Sequence, residues 1–228
     1  RAREDGALSR TVSPRSRWKM TTAPEFPVPT MLLAARESRQ SEDAGGSSIL
    51  HMPSDDDRHA HTEEVLARLA SASPHERSAG ALFLAQMVDT ARGAEASQLG
   101  EQLRNLGGVT LLSRLMTDIR AEVSRAVLMV LSNLCSDAFD AASYLTKTLL
   151  RDSVPAILEH VARPGDPVAR LYALALLQNL CADAGAAMRA VQAGVLPLLG
   201  PLLSEGVEPL VARYAMGAIQ NIARAAQS

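Results

Sequence analysis

RDSVPAILEHVARPGDPVARLYALALLQNLCAD, residues 151–183, is the stretch on which the architecture of this chain turns. A turn-prone opening leads to Val154 and Pro155 and a short apolar run. Proline fits the first turn of a helix, where its missing N–H has no helical acceptor to lose. A Pro-Gly-Asp-Pro break at 164–167 stops that helix, and a longer one is predicted over 168–181. In it Leu171, Leu174, Leu177 and Leu180 recur every three residues, and Ala173, Leu176 and Leu180 add steps of three and four. Such a helix is apolar nearly all round, as a helix enclosed by neighbours must be.

The same pattern recurs on either side. LGGVTLLSRLMTDIRAEVSRAVLMVLSNLCSD (106–137) precedes it and QAGVLPLLGPLLSEGVEPLVARYAMGAIQNIARA (192–225) follows it. The anchors Asn133, Asn179 and Asn221 are 46 and 42 residues apart, and Val109, Val154 and Val195 are 45 and 41 apart. Two anchor sets in step at this period indicate stacked helical units. Helical pieces at 95–108, 138–152 and 185–194 fit the first helix of three-helix units. Residues 61–93 read as a degenerate repeat, with a last helix over Glu76–Thr90 and a helix start at Thr62, followed by Glu63 and Glu64. Pro201 predicts a short or kinked second helix in the last unit. The end of the chain offers no polar cap, which predicts an apolar edge at Leu210, Ala218 and Ile222.

Composition agrees. The 228 residues are 47% hydrophobic but 3% aromatic, and 38 are alanine. Alanine and leucine favour helices and close helix packing, whereas a β-sandwich or barrel needs more β-branched and aromatic residues. The expectation is an all-α solenoid of about three to four repeats. A net charge of -2 gives no sign of nucleic acid or an anionic membrane as partner. No stretch of 18 apolar residues free of charge predicts a membrane span.

Residues 1–60 read as an extended or disordered N-terminal arm, and 61–228 as the repeat domain. The arm holds Pro14, Pro24, Pro27, Pro29 and Pro53, and its first 20 residues carry six Arg or Lys against two acids. A short helix could cover 30–40, TMLLAARESRQ. Trp18 and Phe26 are candidate anchors for docking the arm on a partner. The chain opens on Arg1, which fits a processed chain or a fragment.

LSNLC (131–135), LLQNLC (176–181) and AIQNIA (218–223) resemble the third-helix signature of the armadillo repeat family. GGVTLLSRLM (107–116), DSVPAILEHV (152–161) and AGVLPLLGPL (193–202) resemble its second-helix opening. The resemblance covers about 61–228. It implies a right-handed helical solenoid and a noncatalytic module that binds a protein or extended peptide along a groove of third helices. It also implies groove roles for Asn133, Asn179 and Asn221, because an asparagine amide both donates and accepts. An asparagine inside an apolar helix equally suits a hydrogen bond between units, and both readings stand. In the family's nuclear-import receptors a Trp precedes the Asn by one turn; here Met129, Ala175 and Gly217 hold that place. Tyr172 and Tyr214, with Arg125, Arg170 and Arg213, are candidates for a shallow, partly aromatic, mildly basic groove surface suited to acidic or phosphorylated peptides. Alternatively the arginines pair with Glu122, Asp166, Glu205 and Glu208 around the inter-helix loops. A fixed place in a large, even organellar, multiprotein complex is the alternative function, and cytoplasm is the favoured compartment.

No enzyme chemistry is predicted. His51, His59 and His61 beside Asp55, Asp56 and Asp57 form a solvent-facing cluster without a cysteine partner. Cys135 and Cys181 take equivalent places in successive units, which the armadillo resemblance implies are about 10 Å apart, too far for a shared metal or a disulfide. No Gly-rich piece has the lysine of a phosphate loop. No cofactor or metal is expected.

Overall fold

The computed structural model describes residues 55–227, with side chains from His59 onward. Trp18, Phe26, His51 and the 30–40 helix lie outside the described residues. The helices in chain order are α1 (Asp55–Leu69), α2 (Pro74–Thr90), α3 (Ala94–Asn105), α4 (Gly108–Leu115), α5 (Ala121–Leu134), α6 (Ser143–Leu149), α7 (Val154–Ala162), α8 (Pro167–Leu180), α9 (Ala184–Gln192), α10 (Val195–Leu199) and α11 (Pro209–Ala225). A 3-10 turn, Arg151–Ser153, joins α6 to α7, and another, Gly200–Leu203, extends α10. No strand occurs among the described residues.

Local chemistry sets the boundaries. Ser73, Asp166, Asp183 and Glu208 each accept a backbone N–H in the first turn of α2, α8, α9 and α11, respectively. Pro74, Pro167 and Pro209 take the first position of their helices, as expected where the proline nitrogen needs no partner. Gly107 and Gly194 turn the chain from first to second helix with φ of 72° and 80°, a region that side chains avoid. Pro201 acts as the sequence indicates: α10 stops at Leu199 and a 3-10 turn carries the chain on.

Three units of three helices follow one another, α3–α5, α6–α8 and α9–α11, after the pair α1–α2. Their third helices, α2, α5, α8 and α11, stack in chain order and hold most of the core. Ten of the fourteen residues of α5 are buried, against four of seventeen in α11, so α5 is enclosed on two sides and α11 on one.

Two expectations are corrected. The first helix starts at Asp55, not at Thr62. Thr62 lies inside it, fully buried, and its hydroxyl donates to Gln102 Oε1 on α3 at 2.9 Å rather than capping a helix. The apolar edge at the C-terminal unit is also different. Ala218 and Ile222 are buried and Leu210 half-buried, because α11 turns that side onto α8, α9 and the 3-10 turn; Met216 is the large apolar residue left exposed on α11.

Candidate functional site

The third helices leave one narrow stripe open. On α5 it is Glu122, Arg125 and Asn133; on α8 it is Leu171, Gln178 and Asn179. On α11 it widens to Arg213, Gly217, Gln220 and Asn221. Residues at steps of three and four share a helix side, so the stripe follows the periodicity that placed the asparagines.

The asparagines work between units. Asn179 Nδ2 donates to the Ser132 carbonyl at 2.9 Å, and Asn221 Nδ2 to the Gln178 carbonyl at 2.7 Å. Each acceptor immediately precedes the asparagine of the unit before. Asn133 instead donates within its own helix, to the Met129 carbonyl at 3.0 Å. These bonds use the amide nitrogen and leave the amide oxygen. Asn221 Oδ1 accepts from Arg224 at 3.1 Å, whereas Asn133 and Asn179 Oδ1 accept no bond among the described residues.

One turn before each asparagine the surface is flat. Met129 and Ala175 are buried, and the Gln178 side chain lies over Gly217 so closely that a Cβ there would meet its Oε1 at 2.5 Å. Tyr172 and Tyr214 do not line a groove as the sequence suggested. Both rings are buried in the stack, and burial pushes both hydroxyls above the ordinary tyrosine range. The three arginines separate. Arg125 Nε reaches both Asp166 oxygens, at 3.0 and 2.8 Å. Arg170 Nε donates to the Val161 carbonyl at 2.9 Å, satisfying the end of α7. Arg213 is exposed and makes no ion pair among the described residues.

The remaining chemistry is quiet. Cys135 and Cys181 are buried, and burial pushes both thiols up to about 12, so neither is a nucleophile at neutral pH. No group of three or more His, Cys, Asp or Glu comes together among the described residues. His160, buried in α7, has Nε2 2.7 Å from the Met116 carbonyl and ties one second helix to the end of the one before.

Sequence reading offered pairing of Arg125 with Asp166 as one of its alternatives, and the structure has that pair, but it missed the other ion pairs that join units. Arg77 reaches Asp118 at 2.7 Å, and like Arg125 to Asp166 the step is 41 residues, a recurrence visible in the sequence. On the first-helix side Arg104 pairs with buried Asp140, and Arg151 grips both oxygens of Asp183 at 2.8 and 2.7 Å. Sequence reading also missed a set of exposed apolar residues, Tyr144 and Leu149 on α6, Met188 on α9 and Leu196 on α10.

No family model and no curated protein matches this chain. Solved structures of the same architecture do. An engineered protein aligns with a TM-score of 0.59 at 21% identity, over 73% of this chain and 64% of that one. A second engineered protein aligns at 0.57 and 22% identity, over 71% and 37%. A designed armadillo repeat protein in complex with the peptide (KR)4 aligns at 0.56 and 15% identity, over 72% and 64%. The chain thus spans less than two thirds of each of these chains. The likeness establishes the fold, an armadillo-like all-α solenoid.

Proposed function

From an armadillo-like solenoid we infer that this chain is a noncatalytic binding scaffold, which holds an extended peptide or protein segment against α5, α8 and α11. The helices from Asp55 onward form the binding unit, and the residues before them an arm with Trp18 and Phe26 as anchors. The observation that carries the reading is the division of labour in the asparagines. Their Nδ2 atoms are spent on helix carbonyls, while Oδ1 of half-buried Asn133 and Asn179 accepts no bond among the described residues. An extended peptide presents backbone N–H groups at a regular spacing, and these are the donors such oxygens lack. Chemistry separates this site from that of the designed neighbour, whose peptide is basic. Here Arg125 is held by Asp166, Arg213 is exposed, and Met129, Ala175 and Gly217 offer no ring, so a neutral or acidic peptide suits the stripe better than a basic one. A second reading, a fixed place in a larger assembly, rests on the exposed apolar side chains of α6, α9 and α10, which a protein partner would cover.

Selection of random twelve-residue peptides on the full chain tests the first reading. Binders are expected, and the pair Asn133→Ala and Asn179→Ala weakens them about tenfold, the effect of two hydrogen bonds of roughly 1 kcal/mol partly replaced by water. Failure to enrich any binder, or affinities unmoved by the double variant in a folded protein, contradicts it.

A further inference from the structure

We propose that this chain self-associates end to end, the outer face of α11 in one copy stacking on the outer face of α2 in the next, so that the row of third helices runs on from copy to copy. Among the described residues α2 and α11 are the first and last third helices, and each has another third helix on one side only. Five of the seventeen residues of α2 and four of the seventeen of α11 are buried, against ten of fourteen in α5.

The repeat itself defines what each end leaves open. Counted from the prolines that open the helices, Gln86 on α2 stands where Asn179 and Asn221 stand on α8 and α11, twelve residues on. Asn221 donates back to the Gln178 carbonyl, and Gly217 lies under the Gln178 side chain. Gly217 and Asn221 therefore mark the face turned to the unit before, and Gln178 the face turned to the unit after. On α2 the backward slots hold Leu82 and exposed Gln86. Leu82 is 41% exposed, whereas its counterparts Met129 and Ala175 are buried. On α11 the forward slots hold Met216 and exposed Gln220, four residues apart on one side of the helix. Met216 is 43% exposed, whereas its counterparts Leu128 and Leu174 are fully buried.

The two open faces match each other. Within the chain, Asn179 donates to the Ser132 carbonyl and Asn221 to that of Gln178. At an α11–α2 junction the Gln86 amide finds the Gln220 carbonyl in the same register, and Met216 covers Leu82. Charge agrees. Arg125 reaches across a junction to Asp166 at the start of the following third helix. Arg213 holds the same slot on α11, exposed and without an ion pair among the described residues, and exposed Glu76 stands in the first turn of α2. A second copy is thus a partner whose surface carries the matching slots in the matching order. Because the contact joins two different faces, every pair leaves one of each free, and growth is open-ended. Leu82 and Met216 lie outside the polar stripe, so this inference stands or falls without the peptide site.

Sedimentation velocity on the full chain tests it. The weight-average mass is expected to rise at least about twofold from dilute protein to roughly 0.1 mM, as a small reversible interface allows. Leu82→Arg and Met216→Arg, both at exposed positions, each leave a monomer. Mixed in equal amounts, the two variants form a dimer and nothing larger, because one keeps its α11 face and the other its α2 face. A parent chain that stays monomeric at every concentration overturns the proposal, and so does a mixture that stays monomeric. So does a variant that still associates alone, which assigns the contact to two like faces or to the apolar side chains of α6, α9 and α10.

Discussion

The two sides of the solenoid are built in opposite senses. On the third-helix side apolar residues are inside and a polar stripe is outside: α5 buries Val127, Leu128, Val130 and Leu131 and shows Glu122, Arg125 and Asn133. On the first-helix side some ionic groups join Leu103, Leu150 and Ala187 inside, and several large apolar residues are left outside. Asp140 is fully enclosed against Arg104, and Lys147 is buried against Asp137, while Tyr144 is 63% exposed, Leu149 52% and Met188 46%. Cohesion on one side comes from packing, with amide bonds as registration. On the other, packing of Leu99, Leu103 and the α9 alanines is joined by buried or half-buried charge pairs such as Arg104–Asp140. A polar stripe with spare acceptors suits the proposed reading of a peptide backbone, whereas exposed apolar side chains suit burial against a protein surface.

The largest effect expected from breaking this contrast is Arg104→Ala. It strands the Asp140 carboxylate in a buried place and costs about 3–5 kcal/mol, whereas Arg189→Ala, which removes an exposed pair with Asp152, costs roughly 0–1 kcal/mol. Denaturant titrations of the two variants measure the difference, and equal losses erase it. On the packing side Leu131→Ala, in the enclosed helix, is expected to cost about 2–5 kcal/mol, while Met216→Ala on α11 stays within roughly 0.5 kcal/mol. Asn179→Ala removes one amide bond between units and costs about 1 kcal/mol by the same titration.

A fourth expectation concerns pH. The Arg151 hydrogen bonds hold the Asp183 carboxyl below its usual range. At Asp137 burial works against ionisation, but hydrogen bonds from Lys147 and Ser143 outweigh it and also leave the carboxyl lowered. A depressed native value means that the unfolded chain binds the proton first. The stabilisation is full above the ordinary aspartate value of about 4 and drains away as pH falls through the native value. Melting temperature is therefore expected to fall with acid below about pH 4, and less steeply in Arg151→Ala than in the parent. An unchanged slope in that variant removes the Arg151–Asp183 pair from the account.

How much of this was legible in the sequence follows from the same contrast. The third-helix side writes itself in a short period, so the units, the long helices and the break at Pro201 could all be read from asparagine and leucine spacing. The first-helix side does not. Its pairs, Arg104 with Asp140 and Arg151 with Asp183, bridge 36 and 32 residues through junctions of unequal length, so no fixed step reveals them. Burial of Tyr172 and Tyr214 was hidden for another reason. A seven-residue step from Asn179 or Asn221 keeps the same side of the helix, and only the stacked neighbours decide that the rings are covered. The start of α1 was misplaced because Thr62 and the two acids after it have the look of a helix cap, while the hydroxyl is used between helices.

The most direct test of the central claim, that the polar stripe is the binding face, is a hydrogen-exchange footprint of a selected twelve-residue peptide on the full chain. Protection is expected along α5 and α8 around Asn133 and Asn179, reaching Arg213 on α11, with α6 and α9 unchanged. Protection confined to α6, α9 and α10 around Tyr144, Met188 and Leu196 would contradict the claim and give the apolar side the binding role.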